Sequence, residues 1–389
     1  MLIFHTAICV GASQIATDGR RELDVLVATP SLRSGMEVNM KKGNNPYSIS
    51  FGRIPARFIS RDVSVIDILD ALNADEPTEM AFKLTGIRGA GKTVTLSEIE
   101  RELRKDDKWI VVDLKSGGEI TNDLVSELYS REDFITKYVD ANLNLSAFGI
   151  GLKVSKKSPV SSIDVALRNL IEEIAKKKKR ILVVIDEIRK TDAIVDFIQT
   201  FQILIRADLP IYLIVAGLYE DIESVENTDG LTFFLRAESV EMTPLSREII
   251  REDYRQTLGL PYETAKKLAN MTKGYAFAYQ VFGKYMWDAG GDEISDLVLA
   301  QVDNALAIKV YNKLWSELSD TEKWYMSFIV RKEKMPVSEL LELTKKSHSD
   351  WSRPRKKLKE KRIIDTSERG EIRLLLPRFK EYVEGLNEV

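Results

Sequence analysis

Five strand-like apolar runs alternate with helix-like segments through the first two thirds of the chain. The predicted strands are Met80–Thr85, Trp109–Leu114, Ile181–Ile185, Ile211–Ala216 and Ser239–Met242. The predicted helices are 119–137, 162–179 and 190–206 between the strands, and 246–258 after the last of them. Continuous apolar runs are typical of strands buried on both faces, and strand–helix alternation is typical of a parallel sheet covered by helices. The pattern therefore predicts an α/β fold, a three-layer αβα sandwich.

The pattern changes near the C-terminus, where three helices precede two strands. The predicted helices are Thr321–Val330, Val337–Lys346 and a third from about Asp350–Ser352 to Lys361. The predicted strands are Ile363–Ile364 and Glu371–Leu376. We place the start of the third helix so that Pro354 lies in its first turn, where a missing N–H does little harm. Three helices and a β-hairpin predict a winged helix.

Domain boundaries follow from these changes of pattern. We divide the chain into an N-terminal extension (1–43), an αβα domain (44–242), a helical lid (243–313) and a winged helix (314–389). The extension begins with a short apolar stretch, a weak signal-peptide pattern, and shows no clear periodicity afterwards. We interpret it as an over-extended gene start, with translation from Met36 or Met40; a disordered or loosely docked tail is the alternative. Residues Asn142–Val154 alternate as an edge strand or a hairpin insertion does.

Composition excludes several classes of chemistry. One cysteine and two histidines exclude an internal disulfide framework and a thiolate or histidine zinc site, and argue against a Ser-His-Asp triad. No apolar run approaches the length of a membrane span, so we expect a cytoplasmic protein and no integral membrane protein. The net charge is −3, but residues 321–389 carry 17 Lys and Arg against 12 Asp and Glu. A basic C-terminal module therefore follows an acidic body.

A phosphate-binding motif lies between the first predicted strand and a helical stretch. The sequence from Gly86 to Thr93, GIRGAGKT, fits the Walker A pattern GxxxxGK[ST] in the strand–loop–helix context that the pattern requires. Its glycines let backbone N–H groups converge on phosphate, Lys92 supplies a charge to the β- and γ-phosphates, and the Thr93 hydroxyl is a ligand for Mg²⁺. The predicted ATP-binding residues of this loop are Gly86, Arg88, Gly89, Ala90, Gly91, Lys92, Thr93 and Val94. The alternative is a glycine-rich turn that binds no ligand.

Two acids, Asp186 and Glu187, directly follow the apolar run at 181–185 and form a Walker B pattern. Ligands of parallel sheets bind at the carboxyl ends of the strands, so we expect both acids beside the phosphate loop. We assign Asp186 to the magnesium ion, mostly through water, and Glu187 as the catalytic residue that orients and polarises the attacking water. The basic run at 176–180 is either a nucleic-acid patch or, as we favour, a solvated helix end.

The third predicted helix of the winged helix is strongly basic. Its candidate DNA-binding residues are Arg353, Arg355, Lys356, Lys357 and Lys359, and Lys361 and Arg362 follow them. In one interpretation this helix enters a DNA major groove and the tip at Arg369–Gly370 touches the backbone. In the alternative, the basic face is solvated, docks on the acidic body or binds a protein partner.

With these motifs, residues 44–389 resemble the bacterial and archaeal AAA+ ATPases related to origin-recognition proteins. Besides the Walker motifs and the winged helix, the matching segments are Asn45–Tyr47, Phe51–Arg53, Arg61–Asp62, Thr232–Ala237 and Gly274–Phe277. The resemblance implies that Gly52–Asp62 wraps the adenine of ATP, with Pro55, Phe58 and Ile59 as contacts. It also implies that Arg236 is an arginine finger acting on the nucleotide of a second copy in a homo-oligomer; an ordinary helix-end arginine is the alternative.

Two departures from that family bear on the rate of hydrolysis. The strand ending at Ala216–Gly217 lacks the family's polar sensor residue, and Phe277 stands where origin-recognition relatives often carry a nucleotide-sensing arginine. We therefore expect a slow ATP-hydrolysing switch whose winged helix contacts DNA. The second hypothesis is a signalling or scaffold ATPase whose winged helix binds protein. A metabolic kinase is less favoured, because the sequence shows no acceptor site for a small molecule.

Overall fold

The structure, a computed structural model, describes residues 43–50, 54–130, 163–290 and 292–387. Most of the predicted N-terminal extension, the end of the predicted helix 119–137 and the alternating segment at 142–154 lie outside these residues. Among the helices that the structure describes, none combines the length and the apolar character needed to cross a membrane.

A parallel sheet of five strands lies in the N-terminal half. Its strands are β1 (Ala81–Thr85), β2 (Trp109–Leu114), β3 (Arg180–Ile185), β4 (Ile211–Gly217) and β5 (Glu238–Glu241). They are arranged in the order β2-β3-β4-β1-β5, and every neighbouring pair is parallel. The five predicted strands are confirmed, with ends that differ by a residue at most.

Helices cover both faces of this sheet. They are α1 (Asp62–Asn73), α2 (Lys92–Leu103), α3 (Ile120–Ser130), α4 (Ile163–Lys176), α5 (Asp192–Arg206), α6 (Tyr219–Glu226) and α7 (Thr232–Arg236). Successive strand residues point to opposite faces, so Val183 belongs to one hydrophobic core and Val184 to the other. Two cores with the sheet between them confirm the predicted αβα sandwich.

Five helices follow the sheet and lead into the C-terminal module. They are α8 (Arg247–Leu258), α9 (Tyr262–Met271), α10 (Ala276–Ala289), α11 (Asp296–Leu306) and α12 (Asn312–Ser316). A π-helical turn, Ala307–Tyr311, joins α11 to α12. The long helical connection from α11 to α12 therefore ends beside the first helix of the C-terminal module.

The C-terminal module has the helices and strands of a winged helix. They are α13 (Asp320–Ile329), β6 (Lys334–Pro336), α14 (Val337–Thr344), α15 (His348–Glu360), β7 (Ile364–Asp365), β8 (Glu371–Leu374) and α16 (Phe379–Asn387). The strands form an antiparallel sheet in the order β6-β8-β7. A single hydrophobic core contains residues of α8–α11 together with those of the winged helix, such as Tyr279 and Trp351. The helices after the sheet and the winged helix therefore pack as one body.

The start of α15 is a boundary that the sequence prediction placed wrongly. The helix begins at His348, because Ser347 and Asp350 form a capping box: Asp350 N donates to Ser347 Oγ (3.3 Å) and Ser347 N donates to the Asp350 carboxylate (2.9 Å). Pro354 is therefore inside the helix, beyond its first turn, where its ring is buried. The favourable cap decides where the helix begins, and the helix tolerates the proline.

Candidate functional site

A cavity opens at the carboxyl ends of β1, β3 and β4, beside the N-terminus of α10. β4 pairs with β1 on one side and β3 on the other, so the phosphate loop and the two acids lie on either side of the end of β4. The predicted site residues in the lining are Pro55, Phe58, Ile59, Arg88, Gly89, Gly91, Lys92, Thr93, Val94, Asp186 and Glu187. Gly86 and Ala90 belong to the same loop but are not part of this lining.

The loop after β1 has the backbone that a phosphate cradle requires. Gly89 and Gly91 have φ angles of +71° and +97°, in the region that side chains with a Cβ rarely adopt. Gly91 is the N-cap of α2, which begins at Lys92. The unpaired N–H groups of the first turn of α2 therefore lie at the end of the loop, an arrangement that favours anions.

Lys92 is held across this loop. Its Nζ donates to the carbonyl oxygens of Gly86 (2.7 Å) and Ile87 (2.9 Å). Burial lowers the pKa of Lys92 to about 8, and the charge of the nearby Asp186 carboxylate opposes that shift. Lys92 is thus half-buried at the cavity wall, where a phosphate would give its ammonium group a strong electrostatic partner.

Thr93 and Asp186 meet in the cavity, as a shared magnesium ion requires. Thr93 Oγ1 donates to Asp186 Oδ2 at 2.6 Å. Within the described ranges, no cluster of three or more His, Cys, Asp or Glu residues could hold a metal by itself. A hydroxyl and one carboxylate nevertheless fit Mg²⁺, which commonly takes its other ligands from substrate phosphates and water.

Glu187 has an unusual backbone for an acid. Its φ is +53°, in the left-handed region, and its N–H donates to Asp186 Oδ1 (2.8 Å). The next residue, Ile188, is anchored to β4 by a hydrogen bond from its N–H to the Ala216 carbonyl (2.8 Å). Non-glycine residues held in this region cluster at functional sites, and the sharp turn after β3 places the Glu187 side chain in the cavity lining.

The N-terminus of α10 is joined directly to the phosphate loop. The Tyr275 hydroxyl donates to the Arg88 carbonyl (2.5 Å), and Phe277 N donates to the Gly89 carbonyl (3.0 Å). Phe277, which stands in place of the sensing arginine of the resembled family, therefore contacts the loop through its backbone. A Cβ on Gly89 would collide with Tyr275, so this close approach also requires glycine.

A buried polar network fixes the chain segment that precedes α1. Asp253 of α8, only 4% exposed, accepts hydrogen bonds from the Tyr47 hydroxyl (2.7 Å), the Tyr279 hydroxyl (2.8 Å) and Arg57 Nε. The Arg57 carbonyl accepts from Gln280 Nε2 (2.7 Å). These bonds hold the segment against α8 and α10, and so place its apolar side chains, the predicted adenine contacts, in the cavity wall.

We expect Asp253→Ala to destabilise the protein strongly. The substitution leaves Arg57 and two tyrosine hydroxyls buried without their shared acceptor, and breaking a buried ion pair costs about 3–5 kcal/mol. The free energy of unfolding measured in denaturant reports the change. Glu252→Ala, on the same helix, is the matched control: its side chain is 43% exposed and forms only a surface pair with Arg255, so the change should be less than about 0.5 kcal/mol. Equal effects of the two substitutions would contradict the structural role of Asp253.

Sequence reasoning missed three residues around the site. Arg61 Nη2 donates to the carbonyls of Ala90 and Thr243, both at 2.8 Å, and burial lowers its pKa to about 10. Asp221, in the first turn of α6, lines the cavity beside the end of β4. Burial raises the pKa of Asp221, and the charge of Arg189 opposes that shift. Arg61 lies in the segment Gly52–Asp62, which the resemblance assigns to the adenine, whereas no local sequence pattern indicates Asp221.

The third missed residue, Lys83, is a buried lysine of β1 that supports the helix carrying Arg236. Its Nζ donates to Glu226 Oε1 (2.6 Å) and to the carbonyls of Phe234 (3.0 Å) and Leu235 (3.3 Å) near the end of α7. Arg236 is exposed and is not part of the cavity lining. A residue that acts on a second copy would have this placement.

The basic helix α15 faces the sheet across a second cleft. Lys361 Nζ lies 3.0 Å from Glu220 Oε1 of α6, and Arg362 pairs with Glu241 of β5. Arg355, Lys356 and Lys359 are exposed side chains that line this cleft. Two further cations of α15 lie outside that lining: Arg353 is exposed, and Lys357 pairs with Glu360 (3.3 Å). Docking on the acidic body, one of the alternatives at the sequence level, therefore occurs in this arrangement.

Comparison with known proteins gives one family match and several structural ones. A family described as a domain of unknown function, DUF8462, matches residues 308–383. No curated protein sequence matches the chain.

Among solved structures, the ORC2 protein of Aeropyrum pernix, in ADPNP–ADP complexes, is similar with a TM-score of 0.56 at 14% identity, over 87% of this chain and 96% of that one. Cdc6p from Pyrobaculum aerophilum gives 0.43 at 16% identity, over 87% and 97%. The Aeropyrum pernix ORC1 protein in complex with DNA gives 0.41 at 14%, over 85% and 93%. At such identities the similarity to ORC2 shows the fold alone. The chain therefore has the fold of the origin-recognition-like AAA+ P-loop ATPases, with a winged helix after the lid.

Proposed function

We propose that this protein binds ATP with Mg²⁺ and hydrolyses it slowly, as a switch whose winged helix contacts DNA. The observation that supports it most strongly is the meeting of Thr93 with Asp186 beside Lys92, at the carboxyl edge of the sheet. The ADPNP–ADP complexes of the ORC2 protein add support, because a protein of this fold holds adenine nucleotides. Oligomer formation through Arg236 and the domain division at residues 43, 242 and 313 belong to the same proposal.

The residues of the cavity have three separate functions: they bind the nucleotide, hold the magnesium ion and activate the attacking water. Pro55, Phe58 and Ile59 give the adenine an apolar wall, while the loop amides and Lys92 hold the phosphate chain. Thr93 and Asp186 hold the magnesium ion, which neutralises charge on the phosphates when it is bound. Glu187, exposed at the cavity, orients a water molecule and accepts its proton as the water attacks.

The side chains at the end of β4 and at the start of α10 favour slow hydrolysis of ATP. Ala216 and Gly217 supply no polar side chain between the phosphate loop and the acid pair, and Phe277 supplies no cation from α10. In this class of reaction, positioned cations and hydrogen-bond donors stabilise the transition state, and the loss of one such donor costs about 10²–10³ in rate. A site without these two groups suits a switch better than a motor.

The winged helix has a surface suited to DNA that is largely directed at the sheet. Among the cations of α15, Arg353 is exposed outside the cleft, whereas Arg355, Lys356 and Lys359 line it. Neutralisation of phosphates by such side chains gives sequence-independent affinity. A duplex can use the whole helix only after α15 leaves the sheet, so we propose that DNA binds more tightly when ATP is present.

This proposal predicts nucleotide-dependent and salt-dependent DNA binding. Anisotropy of a labelled mixed-sequence duplex is measured with the full chain and Mg²⁺, without nucleotide, with ADP and with a slowly hydrolysed ATP analogue. We expect the tightest binding with the analogue, and expect Lys356→Glu to lower the salt dependence by about one phosphate contact. Lys380→Glu on α16 is the charge-matched control. No binding of any duplex at low salt would reject DNA as the partner and leave the ATP site unaffected.

A protein partner is the second candidate, and an aromatic patch on α13 favours it. Trp324 is 39% exposed, its ring lies 5.1 Å from that of Phe328, and the Arg331 guanidinium lies 4.8 Å from the Phe328 ring. Exposed tryptophan and arginine are enriched at protein interfaces. If the duplex does not bind, capture of a partner that Trp324→Ala abolishes would support this function instead.

A further inference from the structure

Arg88 stands between the nucleotide cavity and the cleft under α15. It is the third residue of the phosphate loop, and it lines both spaces. Its main chain is fixed by the hydrogen bond that its carbonyl accepts from Tyr275, whereas its side chain remains 29% exposed. Arg88 therefore adjoins both spaces from a loop whose main chain is held in place.

On the side of the winged helix, the partner of Arg88 is Glu317. The distance from Arg88 Nη2 to Glu317 Oε1 is 3.6 Å, too long for a hydrogen bond, and Lys313 Nζ lies 3.4 Å from the same oxygen. Arg88 Nε is buried and has no hydrogen-bond partner among the residues that the structure describes. The pair with Glu317 is therefore an ion pair without a hydrogen bond, and it leaves donors of the guanidinium unused.

On the side of the nucleotide cavity, the positive charge of Arg88 acts on Lys92. The guanidinium contributes to lowering the pKa of Lys92, after burial, and it opposes the upward shift of the pKa of Asp221. The terminal phosphate of ATP, placed beside Lys92, would bring several negatively charged oxygens close to the positive charges of Lys92 and Arg88. Arginine binds phosphate through two parallel hydrogen bonds, which a single carboxylate at 3.6 Å cannot match.

Glu317 connects this competition to the winged helix. It follows α12 directly and precedes the capped start of α13. The connection is tied to the winged helix through Tyr311, whose hydroxyl donates to the Pro377 carbonyl (2.5 Å) and whose ring packs 5.0 Å from that of Phe379. A displacement at Glu317 is therefore passed to a body that shares one hydrophobic core.

We propose that the Arg88 guanidinium changes its partner from Glu317 to the terminal phosphate of ATP, and that this change signals the presence of ATP to the winged helix. The inference rests on the proposed function, because it requires ATP in the cavity. Loss of the pair with Glu317 leaves the pairs of Lys361 and Arg362 to hold α15 at the sheet, so the terminal phosphate weakens the docking. ADP lacks that phosphate and leaves the docking intact.

The test compares Arg88→Ala, Glu317→Gln and the control Lys313→Ala, which also contacts Glu317 but lies outside the cavity lining. Calorimetry with Mg²⁺ gives the affinities for ADP and for a slowly hydrolysed ATP analogue, and hydrogen exchange reports the protection of α15. Arg88→Ala should lower the affinity for the analogue about tenfold, the contribution of one charge-assisted contact, and lower that for ADP less. Glu317→Gln should raise exchange in α15 without nucleotide, whereas Lys313→Ala should match the unsubstituted protein.

The outcomes separate this inference from the function on which it rests. If the unsubstituted protein binds both nucleotides but Arg88→Ala keeps the same preference for the analogue and the same exchange in α15, Arg88 is not the reporter. If Glu317→Gln leaves exchange in α15 unchanged, the pair does not restrain the winged helix. If the unsubstituted protein binds neither nucleotide, the ATP site itself is wrong.

Discussion

Lys92→Ala is expected to reduce ATP binding by at least about a hundredfold. Lys92 is half-buried at the cavity wall and its ammonium donates to two carbonyls of its own loop, so it is already held beside the place where phosphates would lie. A charge-assisted hydrogen bond contributes about 1.5–3 kcal/mol, and each 1.4 kcal/mol or so is a factor of ten in affinity. Loss of contacts to two phosphates therefore removes binding at ordinary nucleotide concentrations.

Calorimetry with Mg²⁺ and a slowly hydrolysed ATP analogue measures this loss. Lys105→Ala, just beyond the far end of α2, removes the same charge from a side chain that pairs with Glu102 on the surface, and should bind as the unsubstituted protein does. Both variants should unfold at similar denaturant concentrations. Normal binding by a folded Lys92→Ala protein would show that the loop does not grip phosphate.

The second large effect is expected on turnover. Glu187→Gln should keep ATP binding and slow hydrolysis by about 10²–10⁴-fold, because an amide of the same shape cannot accept a proton from water. The left-handed backbone at Glu187 is unaffected by this substitution, so the turn after β3 stays intact. Phosphate release from ATP at saturating Mg²⁺ is the measurement.

Asp186→Asn separates the two acids. Its partner Thr93 remains, but the carboxylate that completes the magnesium site is lost, so nucleotide affinity should no longer increase when Mg²⁺ is added. Glu187→Gln should keep that increase. If Glu187→Gln hydrolyses ATP at the original rate, another group activates the water, and Asp221 in the same cavity becomes the next residue to replace.

The strands and the phosphate loop could be predicted because their signals are local. The five apolar runs are bounded by turn residues, and the glycines at 89 and 91 are required by the backbone that the loop adopts. Helix α1 carried an equally local signal, since Val65, Ile68 and Leu72 recur at steps of three and four. Helix α1 could therefore have been predicted from the sequence by the same periodicity argument as the other helices.

The remaining features depend on contacts between distant parts of the chain. No pattern around Asp253 indicates that it joins Tyr47, Arg57 and Tyr279, because each of these residues alone looks like an ordinary surface or core residue. The start of α15 involved two local rules in conflict, a capping box and a proline, and their relative strength is visible only in the folded helix. The docking of Lys361 and Arg362 was one of several open alternatives, since charge composition cannot say which surface a basic helix faces.

Calorimetry on the unsubstituted full chain tests the central claim most directly. A slowly hydrolysed ATP analogue is titrated with and without Mg²⁺, since the claim is that the loop at 86–93 binds a triphosphate next to a metal held by Thr93 and Asp186. We predict saturable binding with one nucleotide per chain that tightens when Mg²⁺ is present. If neither the analogue nor ADP gives any heat of binding, with or without Mg²⁺, the result would contradict the account.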